Sequence, residues 1–153
     1  MLQEISEITL KILLTVLLSS LIGSEREYRN KVAGLRTHIL VAVGSALLVL
    51  TSLYIFDIYK DKANVDPTRM IAGITTGIGF LCAGTIIRAG DNIHGLTTAA
   101  TLWIASGVGI AVGAGHYSAA IIVSIVVFLV LTVVRSFERK ISEKFKDLSQ
   151  GGR

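Results

Sequence analysis

The residues able to do chemistry fall into three short clusters. Glu25, Arg26, Glu27 and Arg29 form the first, Arg36, Thr37 and His38 the second, and Arg88, Asp91, Asn92, His94, Thr97 and Thr98 the third. A guanidinium stays charged at any cellular pH and offers a planar fork of donors suited to carboxylates and phosphates. Arg26, Arg36 and Arg88 could therefore hold an anion, a lipid phosphate or a partner's carboxylate, with Glu25 and Glu27 as the nearest internal partners. The competing reading is of arginines snorkelling to headgroup level within a local lattice of Glu and Arg. Spacing alone leaves both open.

Catalysis and metal binding find little support in the same residues. His38 has Ser45 two helical turns away, but no carboxylate completes a Ser-His-Asp arrangement, and Asp91 with His94 is too generic to define a reaction. The lone Cys82 cannot form an internal disulfide, and no Cys/His spacing suggests zinc or an iron-sulfur cluster. Magnesium wants octahedral oxygen ligands, for which the apolar runs offer only Thr75, Thr76 and Thr85 hydroxyls and backbone carbonyls. No cofactor is expected, and a magnesium site at Asp91 and Asn92, or at Asp57, Asp61 and Asp66, would be a weak surface site.

The clusters are separated by long apolar runs, which must position them. Of the 153 residues 52% are hydrophobic and only 17% charged, and the mean hydropathy is +0.66, far from the balance of a soluble domain. Five runs, at about residues 8–23, 35–56, 70–87, 96–114 and 118–134, are each long enough to cross roughly 30 Å of hydrocarbon. They lack the alternation of barrel strands, so an all-α polytopic helical bundle with about five transmembrane helices is expected. Glu4 and Glu7 stand where a signal peptide would be basic, so the first run reads as retained.

Eleven of the 15 lysines and arginines fall on one side if the N-terminus is outside: Arg26, Arg29, Lys31, Arg36, Arg88 and six beyond Val134. Lys11, Lys60, Lys62 and Arg69 fall on the other. The excess of positive charge favours an N-out, C-in topology and accounts for the net charge of +4 without nucleic acid as a partner. Tyr54, Phe56, Tyr59 and Tyr117 then form an outer aromatic belt. All three chemical clusters open on the inner side, and Arg36 and His38, in the first turn of a long apolar helix, are expected to face the bundle interior with partners.

Residues 1–134 read as one transmembrane domain and 135–153 as a basic cytoplasmic tail. In the tail Phe137, Ile141, Phe145 and Leu148 recur at helical spacing, as in a basic amphipathic helix. Asp66 followed by Pro67 reads as the N-cap and first residue of the third helix. Gly73, Gly77 and Gly84 share a face of the third run. Thr101, Ala105, Gly109 and Gly113 share a face of the fourth, and the two stripes are expected to pack against each other or to serve a homodimer.

Taken in order, Gly23-Ser-Glu-Arg-Glu27, Ala33-Gly-Leu-Arg-Thr-His38, Asp66-Pro-Thr-Arg69, Gly77-Ile-Gly-Phe-Leu-Cys-Ala-Gly84, Gly95-Leu-Thr-Thr-Ala-Ala100 and Trp103 resemble the membrane domain of the MgtC/SapB family. Each string is weak and their ordered co-occurrence is specific. The resemblance implies a non-enzymatic, multi-pass bacterial inner-membrane protein linked to growth in low magnesium. It implies a regulator of other membrane proteins, including the F-type ATP synthase in virulent members. The family's polar signature falls on Glu25, Arg26, Glu27, Arg36, Thr37, His38, Asp66, Arg69, Thr97 and Thr98. Many members continue into a soluble cytoplasmic domain, whereas this sequence stops after the basic tail. A divalent-cation transporter or channel, and a structural subunit of a larger membrane complex, are the alternatives.

Overall fold

The computed structural model describes residues 2–134, so the expected amphipathic tail lies outside the described residues. The described residues form five α-helices, α1 (Leu2–Tyr28), α2 (Leu35–Tyr59), α3 (Thr68–Gly84), α4 (Leu96–Gly113) and α5 (Tyr117–Leu129), with a π turn at Val130–Val134 continuing α5. A two-stranded hairpin, β1 (Ile87–Ala89) and β2 (Asn92–His94), joins α3 to α4. Four helices, counting α5 together with its π turn, are long and apolar enough to cross a membrane. The fifth, α3, has 17 residues, about 25 Å at 1.5 Å per residue.

Contacts between the helices fix their directions. The start of α2 lies against the end of α1, where the Cα of Leu35 is 2.9 Å from where a Cβ on Gly23 would stand. At the other end of α2, the Ser52 hydroxyl donates to the carbonyl of Pro67 at 3.1 Å, beside the start of α3. The end of α3 meets the start of α4, where the Cys82 thiol faces the carbonyl of Ala99 at 3.1 Å. Against α4 the partners of α2 rise together in sequence: His38 with Thr101, Ser45 with Ser106, Ala46 with Gly113. Helices α2 and α4 are therefore parallel, and α3 must run back through the same layer between them. All five helices traverse one slab, and the hairpin, the α1–α2 turn and the π turn share one end.

Helix α4 is the axis of the bundle. Some 56% of its span is buried, against 17 to 28% for α1, α2 and α5, whose outer faces carry the exposed Leu13, Leu40 and Ile122. Lipid tails are as apolar as these side chains, so nothing drives them inward, and helix contacts are left to small residues that permit close approach. Two small apolar clusters result. Ala33, Ile78, Cys82, Ala99 and Leu102 pack near the hairpin end, and Leu18, Val108, Val112 and Ala120 bind α1, α4 and α5 together.

Local chemistry sets the helix ends. The Asp66 carboxylate accepts the backbone N–H of Thr68 at 2.9 Å and its hydroxyl at 2.6 Å, the capping bond expected there, although regular α3 begins one residue after Pro67. At Gly95, φ is +90°, and a Cβ would collide with the carbonyl oxygen of Thr85, so only glycine lets the hairpin turn directly into α4. The segment expected to be a plain loop after Ile87 is instead paired, Ile87 with His94, Arg88 with Ile93 and Ala89 with Asn92, and α3 ends at Gly84 rather than at Ile87.

The small-residue stripes do not meet as expected. Gly109 abuts the carbonyl of Ala42, and a Cβ on Gly113 would sit 3.0 Å from the carbonyl oxygen of Ala46. The α4 stripe, with buried Ala105 and Thr101, therefore packs on α2 rather than on α3. Gly73, Gly77 and Gly84 have no protein atom within 4 Å of an added Cβ. Instead α3 turns Ile74, Ile78 and Cys82 inward. A helix has one side for each neighbour, and the bulkier side of α3 buries more surface against α4.

Candidate functional site

At the hairpin end, polar side chains from α1, α2 and α4 converge inside the bundle. Glu25 and Arg26 are 6% and 4% exposed, and His38 is fully buried. Such groups persist in a bundle interior only when paired. Glu25 is the hub: one carboxylate oxygen accepts from Arg26 at 3.3 Å and the other from Arg29 at 3.2 Å. Arg26 also donates to the hydroxyl of Thr98 at 3.3 Å, which ties the end of α1 to the start of α4.

His38 makes the matching link from α2. Its Nδ1 lies 2.7 Å from the carbonyl of Gly34 and its Nε2 3.0 Å from the hydroxyl of Thr101. A carbonyl only accepts, so Nδ1 carries a proton. In the neutral ring, Nε2 then accepts the Thr101 proton. In the imidazolium both nitrogens donate, and the Thr101 hydroxyl turns to the carbonyl of Thr98, 2.9 Å away. Two turns deeper, Ser45 donates to the carbonyl of Val41 at 2.9 Å, so Ser106 supplies the proton of the 2.8 Å bond between the two serines.

Glu27 stands two positions from Glu25, on the opposite side of α1. Its carboxylate accepts the N–H of Leu35 at 3.0 Å and so caps the start of α2 from a distance, where Gly34 has no capping side chain. Among the described residues no three His, Cys, Asp or Glu side chains come together as a metal site. The hydroxyls of Thr75, Thr76 and Thr85 are turned back onto carbonyls of their own helix at 2.8 to 3.0 Å.

The expected pocket therefore divides. Glu25, Arg26, His38 and Thr98 are brought together and buried, and Glu27 caps beside them. Arg36 and Thr37 are exposed, against the expectation that Arg36 faces inward. Positions 36 and 38 are about 200° apart on a helix, so burying His38 turns Arg36 outward. Arg88, Asp91 and Asn92 are exposed on the hairpin, where the Arg88 side chain donates to the carbonyl of Gly90 at 3.1 Å. Thr97 is exposed as well.

Thr101 and Ser106 are site residues that the reading of separate clusters did not include. A signal for them exists: His38, Ser45 and Ser52 recur every seven residues on α2, a polar line on one face that demands hydroxyl partners from a neighbouring helix.

A polytopic membrane bundle with parallel α2 and α4 and a hydrogen-bonded ionic plug at one end is thus the class that fold and site define. Its residues 12–140 match the family model of the MgtC family. The chain belongs to that family and is a multi-pass membrane protein. It is 39% identical over 141 residues to YhiD of Escherichia coli K12, provisionally named a magnesium transporter, covering 91% of this chain and 66% of the relative. It is 40% identical over 134 residues to protein MgtC of Salmonella typhimurium LT2, covering 88% of this chain and 55% of the relative. With protein MgtC of Brucella abortus the identity is 44% over 119 residues, 78% of this chain and 48% of the relative. The chain thus spans about half to two thirds of the length of these relatives. No solved structure matches it.

Proposed function

We propose that this chain is a non-enzymatic protein of the bacterial inner membrane, serving adaptation to low magnesium by regulating other membrane proteins from its polar, cytoplasm-facing end. The observation that carries this reading is the closed seam between α2 and α4. Gly109 touches the Ala42 carbonyl, and Gly113 lies against Ala46 and Val49, leaving no room for a hydrated ion path along that seam, which conduction would need. What remains is a rigid end in which three helices are locked through Glu25, Arg26, His38 and Thr98, a platform on which partner contacts can be built. The F-type ATP synthase, implied by the family resemblance, is one candidate partner, and a second copy of the chain is another.

The name of the Escherichia coli relative favours magnesium transport as the second reading. Reconstitution into vesicles loaded with a magnesium-sensitive dye separates the two. The proposed function expects no magnesium entry above empty vesicles, together with restored growth of a deletion strain in low magnesium. Saturable magnesium entry would replace it with the transport reading.

A further inference from the structure

Arg36 and Thr37 belong to the second chemical cluster, yet they take no part in the ionic plug. Both stand exposed in the first turn of α2, and among the described residues neither side chain has a hydrogen-bond or ion-pair partner. Below them α2 and α3 part. Ser52 and Pro67 hold the two helices together at the opposite end, and between that contact and the first turn of α2 a groove of about 470 Å³ opens along their length. Leu40, Gly44 and Leu48 form one wall, and Gly73, Gly77 and Leu81 the other. A Cβ on any of these three glycines would meet no protein atom within 4 Å, so they deepen the groove and close no helix contact.

The groove is built for hydrocarbon. From Leu40 to Leu48 it follows α2 for about 12 Å, within the span that crosses the membrane. No ionisable side chain lines it, and its single hydroxyl, that of Ser45, is already engaged with the Val41 carbonyl and Ser106. Arg36 precedes Leu40, and Thr37 precedes Val41, by one helical turn, so each shares a face with a groove residue. Helical side chains lean towards the helix N-terminus, which carries both polar groups to the mouth of the groove at the membrane surface. Glu27, which reaches the start of α2 from α1, holds the N–H of Leu35 and makes no ion pair with Arg36.

Charge decides what this surface fits. A second copy docked there symmetrically, with the same topology, would set its own basic end against Arg36, and like charges at a contact oppose association. A lipid of the inner leaflet with an anionic headgroup is the complement. Its phosphate oxygens suit a guanidinium fork and a hydroxyl donor, and its chain suits an uncharged groove.

We propose that the α2–α3 groove is a site for one anionic phospholipid, its phosphate held by Arg36 and Thr37 and an acyl chain lying over Gly44, Gly73 and Gly77. This goes beyond the regulatory reading and does not depend on it, since lipid binding is measured without magnesium or a partner protein.

The test uses the full chain purified in a non-ionic detergent and titrated with short-chain phosphatidylglycerol or with phosphatidylcholine of the same chain length. Native mass spectrometry reports bound lipid and copy number together. One phosphatidylglycerol per chain is expected to bind, with phosphatidylcholine at least about fivefold weaker. Arg36→Gln, an exposed change, is expected to weaken phosphatidylglycerol about three- to tenfold and to narrow its advantage over phosphatidylcholine. Gly77→Leu, which fills the groove from α3 away from the headgroup position, is expected to weaken both lipids about tenfold. If that variant loses the wild-type unfolding temperature, Gly44→Leu, which fills the groove from α2, is read in its place. Lys60→Gln, in the loop at the opposite end, is expected to leave binding unchanged. Equal binding of the two lipids, no binding of either, or binding indifferent to Arg36→Gln or to the groove-filling leucine overturns the proposal. A dimer that the leucine dissociates, with no lipid bound, also overturns it and assigns the groove to a second copy.

Discussion

Gly109 presents its bare Cα to the carbonyl oxygen of Ala42, so that α2 and α4 meet backbone to backbone. This contact ties the two helices that carry His38, Ser45, Thr101 and Ser106, and it sets the distance at which their polar groups pair. Gly77, which looks equivalent in sequence, has open space around it.

Gly109→Ala is therefore expected to destabilise the protein by about 1–3 kcal/mol, because the added methyl forces two rigid backbones apart. Gly77→Ala should stay within about 0.5 kcal/mol of wild type. Chemical unfolding in detergent reads both, and equal effects at the two glycines would show that the α2–α4 seam is not where the structure puts it.

The ionic plug predicts an asymmetry between charges that look alike in sequence. Glu25→Gln is expected to cost about 3 kcal/mol, since it leaves a buried guanidinium without its carboxylate, whereas Arg36→Ala, on the exposed side of α2, should be nearly neutral. Within the plug, His38→Ala and Thr101→Val should each cost about 1–3 kcal/mol. Their double-mutant cycle should give a coupling of about 0.5–3 kcal/mol, and a coupling of zero would mean that the bond between them contributes nothing to stability.

Asp66 gives a pH dependence on the opposite side of the membrane. The Thr68 hydroxyl and then its backbone N–H hold the Asp66 carboxyl below its ordinary value of 3.8, helped by Arg69 and opposed by slight desolvation. A carboxylate favoured in the folded state contributes stability above that ordinary value and loses it as pH falls through the lower folded-state value. Asp66→Asn should thus be less stable than wild type near about pH 6, with the gap closing as pH falls from the ordinary carboxyl value through the lower folded-state one. Unfolding temperatures of both proteins across that range check it, and a gap that widens in acid contradicts the capping role.

Much of this was legible before any tertiary contact was known. Charge blocks separated by apolar runs determined a multi-pass helical bundle, because lipid leaves a backbone no other way to satisfy its hydrogen bonds. The ordered strings from Gly23 to Trp103 determined the family. The residue types at the inner junctions determined that His38, expected inward together with Arg36, would need partners. Tertiary structure alone decided which side of each helix faces protein. It turned Arg36 out and His38 in, packed the α4 glycines on α2 rather than α3, and paired residues 87–94 into a hairpin. The reason is physical: in water the apolar face of a helix points to the core, but in lipid an apolar face is satisfied on either side. Facing is then settled by which small residues let backbones touch and which buried polar groups find each other, and both depend on where the neighbouring helix stands.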